Sequence, residues 1–174
     1  VGRLVPQKNL LYTLDVFAEL LRRRPKLKYV LVGGRNLPIY AEEIEAHAAA
    51  LGISSSLIFT GPIADPIALT SFFRHARFYL CLSEWESFCV PIAESIHFGT
   101  PVLGWDVPPI PETMGPGGLL LTGDAAAMAA QIDAAWDDEA GYAQMQQAGK
   151  AHVAHFTDAG LRNDLLALFR ELAR

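Results

Sequence analysis

The sequence predicts a doubly wound α/β domain, a Rossmann-like parallel sheet flanked by helices. Three observations carry this reading. Tyr29–Val32, Phe78–Leu82 and Val102–Trp105 are short apolar runs without polar alternation, which is how strands buried on both faces read. These runs alternate with helical stretches of about ten residues, the pattern of βαβ units. Glycine or proline punctuates the junctions, as at Gly33-Gly34, Gly61-Pro62 and Gly99.

Taken in order, Leu10, Leu14, Phe17 and Leu21 fall on one helical face, and Pro25 stops that helix. Tyr29 to Val32 is the first full strand. Ile39 to Leu51 is rich in helix formers, with Gly52 where a helix-ending glycine belongs. Leu57 to Phe59 is a strand closed by Gly61-Pro62. Asp65 caps a helix that has Pro66 in its first turn and runs through Ala76. Phe78 to Leu82 is a strand, Pro91 to Phe98 a helix and Val102 to Trp105 a strand. Pro108 to Pro116 reads as a proline-rich link to a short run at Leu119 to Leu121, with Gly115 to Gly118 as turn. From Asp124 onward the chain is helical and alanine-rich.

The chain has 174 residues, 51% hydrophobic and 19% charged, which excludes disorder and suits one domain spanning 1–174. A chain of this size buries roughly 70% of its unfolded surface and needs no staples. No apolar run reaches the roughly 18 residues of a membrane span. The net charge of −5 argues against a nucleic-acid partner held through phosphates. That total is uneven: residues 1–40 hold 8 basic residues against Asp15 and Glu19, while the rest hold 6 basic and 17 acidic. Arg22, Arg23 and Arg24 are read as cations closing a helix, where the dipole favours them. Cys81 and Cys89 have neither disulfide-framework density nor C-x-x-C spacing, which points to a reducing, cytoplasmic compartment. Val1 reads as the end of a strand, so the chain is expected to be a fragment.

In such sheets ligands sit at the carboxyl ends of the strands. Three loops there carry chemistry. Gly2 to Asn9 places Arg3 and Lys8 beside a helix start, a planar fork and a point charge suited to a diphosphate. Gly33-Gly34-Arg35 lets backbone approach a ligand, although no G-x-G-x-x-G opens a helix. Ser83 to Ser95 is the densest. It carries Glu86 in the loop and Glu94 one turn inside a helix, with Phe88, Cys89 and Val90 offering backbone N–H groups between them. The two carboxylates can accept hydrogen bonds from a ribose and a hexose. His152 and His155 are read as a solvated helix face, and the sequence shows no metal-ligand cluster.

Arg3 and Lys8, Leu31-Val32-Gly33-Gly34, Phe59-Thr60-Gly61-Pro62-Ile63, Phe72 to Ala76, Glu86 to Ser95, Gly99-Thr100-Pro101-Val102, Pro111-Glu112 and His155-Phe156-Thr157 stand in a specific order. In that order they resemble the C-terminal, donor-binding half of the GT-B retaining glycosyltransferases, glycosyl transferases group 1 (family 4). The resemblance spans nearly the whole chain. Ser87, Cys89 and Ser95 stand where the family carries two glycines and an alanine.

The resemblance implies a nucleoside-diphosphate sugar as donor substrate, with no cofactor and no metal. It implies that Arg3 and Lys8 hold the diphosphate and that Glu86 faces the sugar, these three being the catalytic candidates. Glu94 would bind the ribose. Gly34, Ile63, Phe88, Cys89 and Val90 would complete the donor site, Ile63 near the base. The partners expected are an N-terminal domain outside this chain and a glycan or lipid-linked glycan acceptor, so the full protein is cytoplasmic or peripheral to a membrane and this piece is inactive alone. A glycosidase dyad is set aside because Glu94 on a helix past a phosphate-type loop suits ribose. A nucleotide-sugar epimerase of GT-B architecture and a non-catalytic nucleotide-sugar-binding module are the alternatives.

Overall fold

A computed structural model describes residues 1–173. After a 3-10 turn at Pro6–Lys8 the elements alternate as the sequence predicts: α1 (Leu10–Arg23), β1 (Tyr29–Val32), α2 (Pro38–Ala50), β2 (Leu57–Gly61), α3 (Pro66–His75), β3 (Tyr79–Cys81), α4 (Val90–His97), β4 (Val102–Trp105), α5 (Ile110–Met114), β5 (Gly118–Leu121), α6 (Ala125–Asp137), α7 (Glu139–Val153) and α8 (Asp158–Leu172). Every strand pairing is parallel. The strands form two sheets, β1-β2 and β3-β4-β5, with Tyr29 opposite Leu57, Tyr79 opposite Val102 and Val102 opposite Gly118.

The predicted helix starts hold where a side chain caps them. Asp65 accepts from the Ile67 N–H at 2.9 Å and Asp124 from the Ala127 N–H at 2.8 Å. The α1 start is different. Asn9 lies in the left-handed region (φ +51°) with no side-chain cap, and the buried Tyr40 hydroxyl accepts the Leu10 N–H at 3.1 Å instead.

The burial of α1 is wider than the single predicted stripe. Leu10, Leu14 and Phe17 pack with Leu31, Tyr40 and Ile44 over the first sheet. Val16 and Leu20, on the adjoining face, pack with Leu82, Leu103, Leu121, Met128 and Ile132 over the second. Leu21 is only half-buried. One helix thus bridges both sheets. The far side of β3-β4-β5 is covered by Ile92, Ile96, Ile110, Met114 and Val153, so that sheet is buried on both faces. An apolar groove of about 610 Å³ separates the sheets, with Tyr29 and Val30 on one side and Tyr79 and Leu80 on the other.

The charge asymmetry of the sequence is partly internal. Arg24 at the end of α1 reaches Asp133 (2.6 Å) and Asp137 (2.5 Å) on α6, and Arg77 reaches Glu139 at 2.7 Å. The Arg24 pairs join the basic first third to the acidic last third rather than merely closing a helix. The proline-rich link contains α5, with Pro111 in its first turn, where the missing proline N–H costs nothing. His155 is exposed, as read from the sequence, while His152 is half-buried and its Nε2 lies 2.9 Å from the Glu112 carbonyl, tying α7 to α5. Helix α8 leaves Leu161, Leu165, Phe169 and Leu172 exposed. Among the described residues no helix is long and apolar enough to cross a membrane.

Candidate active site

The site begins with a close approach of two backbones. Residues 2–4 run beside the end of β1, with Gly2 N–H donating to the Val32 carbonyl (2.8 Å) and Leu4 N–H to the Gly34 carbonyl (3.2 Å). Gly33, at φ +150°, makes this possible, because a Cβ there would lie 1.8 Å from the Gly2 oxygen. The predicted glycine pair therefore divides its work. Gly33 permits the contact, and Gly34 supplies the carbonyl that holds the segment bearing Arg3.

The loop after β3 closes over this segment. Glu84 N–H donates to the Gln7 carbonyl at 3.0 Å, which joins the 5–9 loop to the 82–89 loop. Lys8 Nζ then lies 2.5 Å from Glu86 Oε1, an ion pair between residues 78 apart in the chain. Their side chains are 20% and 7% exposed, so the pair is held largely away from water. Arg3 is exposed and lines, with Lys8, Cys81 and Ser83, a cavity of about 40 Å³.

Cys89 is the turning point of the loop. It occupies the left-handed region (φ +63°) immediately before α4, where a family glycine stands, and its side chain is buried. A non-glycine residue there costs roughly 1 kcal/mol. Ser87, at the other family glycine position, is exposed and does not take a positive φ. Ser95 faces the core, donating to the Thr100 carbonyl at 2.8 Å. Thr113 Oγ1 donates to the Phe88 carbonyl at 2.7 Å, and the Phe88 ring meets Phe156 edge-on at 5.1 Å. Phe88 and Val90 are exposed on either side of Cys89, and Glu94 is half-buried one turn into α4. Ile63 stands further off, at the end of the outer strand β2.

Of the predicted residues, the fold thus joins Lys8 to Glu86 directly, puts Arg3 on the same cavity and sets Cys89 against the pair. Sequence reasoning missed Cys81. Its sulfur lies 3.7 Å from that of Cys89, and both sulfurs and a Glu86 oxygen lie within 4.8 Å of one another. The Cys81 thiol is lowered to about 7, because the Cys89 thiol and then the Ser83 hydroxyl, 3.5 Å away, stabilise its ionised sulfur; burial opposes this. Cys89 is pushed up by the proton it shares with Cys81 and by burial. The available signal was positional: the two cysteines bracket the loop that leaves β3 and returns to α4.

The parallel α/β architecture is that of the GT-B glycosyltransferases. Residues 1–152 match the family model described as "Glycosyl transferases group 1", and the chain belongs to that family. It is 30% identical over 179 residues to a D-inositol 3-phosphate glycosyltransferase of Acidothermus cellulolyticus, covering 98% of this chain and 40% of that protein. It is 32% identical over 103 residues to the alpha-monoglucosyldiacylglycerol synthase of Streptococcus pneumoniae, covering 59% of this chain and 22% of the synthase. The chain therefore spans well under half the length of these relatives. Among solved structures it resembles the Anabaena protein HepE in complex with UDP and glucose (TM-score 0.78, 23% identity, 98% of this chain and 47% of HepE). It also resembles the C-terminal domain of a group 1 glycosyl transferase from Francisella tularensis (TM-score 0.74, 23% identity, 88% of this chain and 82% of that one).

Proposed function

We propose that this chain is the donor-binding half of a retaining glycosyltransferase that takes its sugar from a nucleoside-diphosphate sugar. The observation that carries the reading is the Lys8–Glu86 pair beside Arg3, at the carboxyl edge of the strands. Family membership and the UDP-bound fold neighbour support it.

When a glycosidic bond breaks, negative charge gathers on the departing diphosphate. Arg3 and Lys8 compensate that charge, an electrostatic contribution that requires no metal. Lys8 is neutralised by Glu86 in the unliganded chain. An arriving diphosphate offers Lys8 a more highly charged partner and releases Glu86 to accept hydrogen bonds from the donor sugar. Glu94 takes the ribose hydroxyls. Backbone at Gly34, Phe88, Cys89 and Val90 borders the diphosphate and sugar, and Ile63 borders the base. The acceptor, a glycan or lipid-linked glycan, belongs to an N-terminal domain outside this chain, so donor binding without transfer is expected of this piece. Two free thiols suit a cytoplasmic setting.

Thermal unfolding with and without UDP tests the reading. At a UDP concentration a hundredfold above Kd, the chain should gain about 2.7 kcal/mol and melt correspondingly higher. A folded Arg3→Ala/Lys8→Ala variant should lose that gain. An unchanged gain in the variant would remove the diphosphate from these two residues.

A further inference from the structure

Cys81 ends β3 and Cys89 immediately precedes α4, and the loop between them contains Glu86. Both thiols are free and buried, with their sulfurs 3.7 Å apart. Cys89 occupies a backbone conformation that favours glycine, so its side chain is present against the local preference. The cavity lined by Arg3, Lys8, Cys81 and Ser83 has about 40 Å³, room for one molecule of roughly water size. Hydrogen peroxide is small enough to enter such a space.

We propose that Cys81 and Cys89 form a peroxide-sensitive dithiol that closes reversibly into a disulfide beneath the 82–89 loop. The Cys81 sulfur attacks one peroxide oxygen; the O–O bond breaks, the sulfur becomes a sulfenic acid, and the other oxygen leaves as water with the thiol proton. The Cys89 sulfur then attacks the Cys81 sulfur. The S–O bond breaks, an S–S bond forms, and the hydroxyl leaves as a second water with the Cys89 proton. Two thiols are oxidised and one peroxide is reduced to two waters. An added dithiol reverses the step by exchange. Cys81 is the attacking sulfur because it, and not Cys89, is among the residues lining the cavity, and its neighbours favour its ionised, nucleophilic form.

Closure draws the sulfurs from 3.7 Å to about 2.05 Å. The intervening loop has no regular secondary structure to resist this. A Glu86 oxygen lies within 4.8 Å of both sulfurs, so closure changes the immediate surroundings of the Lys8–Glu86 pair. Loss of donor affinity on oxidation follows, and this consequence rests on the function proposed above.

The test uses the purified reduced chain exposed to hydrogen peroxide. Its intact mass should fall by about 2 Da and recover with dithiothreitol. A protease that cuts after Glu84 or Glu86 severs the chain between the cysteines, so the fragments should stay joined only in the oxidised form. Cys81→Ser and Cys89→Gly should each prevent the loss of mass, and glycine suits the φ of +63° at position 89, which keeps that variant folded. Oxidised fragments that separate, or a reduced chain that carries zinc and resists peroxide, would overturn the proposal. A UDP-induced melting shift present in the reduced form and lost in the oxidised one supports the consequence for binding. A disulfide that forms in a chain blind to UDP in both states would sink the donor-site reading and leave the dithiol standing.

Discussion

Lys8 and Glu86 satisfy each other's charge inside a closed loop, and that has an energetic signature. Removing one member of a mostly buried pair leaves the other without its partner in a low-dielectric setting. Lys8→Ala should destabilise the chain by about 1 to 3 kcal/mol in urea unfolding. Adding Glu86→Gln to Lys8→Ala should restore part of that loss, since the stranded carboxylate is then gone. Additive losses in the double-mutant cycle would show that the two side chains act independently.

The residues of this site were legible through their order and spacing along the chain, while their contacts with one another were not. Arg3, Lys8, Glu86 and Glu94 stand out because they fall at the carboxyl ends of strands and in the order of the family's motifs. Cys81 does not stand out, since a cysteine at a strand end reads as an ordinary small hydrophobe. Its meaning appears only when the chain returns eight residues later and sets a second sulfur beside it.

Among the elements, the contact between residues 2–4 and the end of β1 decides whether the site assembles. Gly33 has no room for a side chain, its would-be Cβ lying 1.8 Å from the Gly2 oxygen. Gly33→Ala should therefore cost about 3 kcal/mol or more and lower the denaturant midpoint without changing the slope. A loss below about 1 kcal/mol would mean that the segment carrying Arg3 moves aside freely.

Elements with strong local signals were readable: buried strands as unbroken apolar runs, and the capped helix start at Asp65. Short α5 was hidden because a five-residue helix has no periodicity to detect. The two-faced burial of α1 was hidden for a different reason. Val16 and Leu20 look like an incidental second stripe until a second sheet comes to lie against them.

For the molecule as a whole, β1 and β3 flank an apolar groove lined by Tyr29 and Tyr79. Burial raises both phenols, since an ionised ring oxygen there would lose its hydration. Their folded values lie above the unfolded value of about 10, so this stabilisation is complete below about pH 10 and falls as the pH rises past it. Denaturation midpoints measured from about pH 8 to 11 should drop at the alkaline end, and Tyr79→Phe should flatten the drop. An equally steep fall in Tyr79→Phe would assign the alkaline sensitivity elsewhere.

The amino-acid sequence by itself determined the alternation of strands and helices, the loops at the carboxyl ends of the strands, and the residue types offered there. These follow from interactions among neighbours along the chain: periodicity, caps, and the conformational freedom of glycine. The tertiary structure alone decided that the parallel strands divide into two sheets bridged by α1, that Lys8 is neutralised by Glu86, and that Arg24 clasps α6. It also decided that two cysteines meet under the loop. Each of these depends on where distant segments converge, and the distances that set Coulomb, hydrogen-bond and thiol chemistry exist only once they have done so.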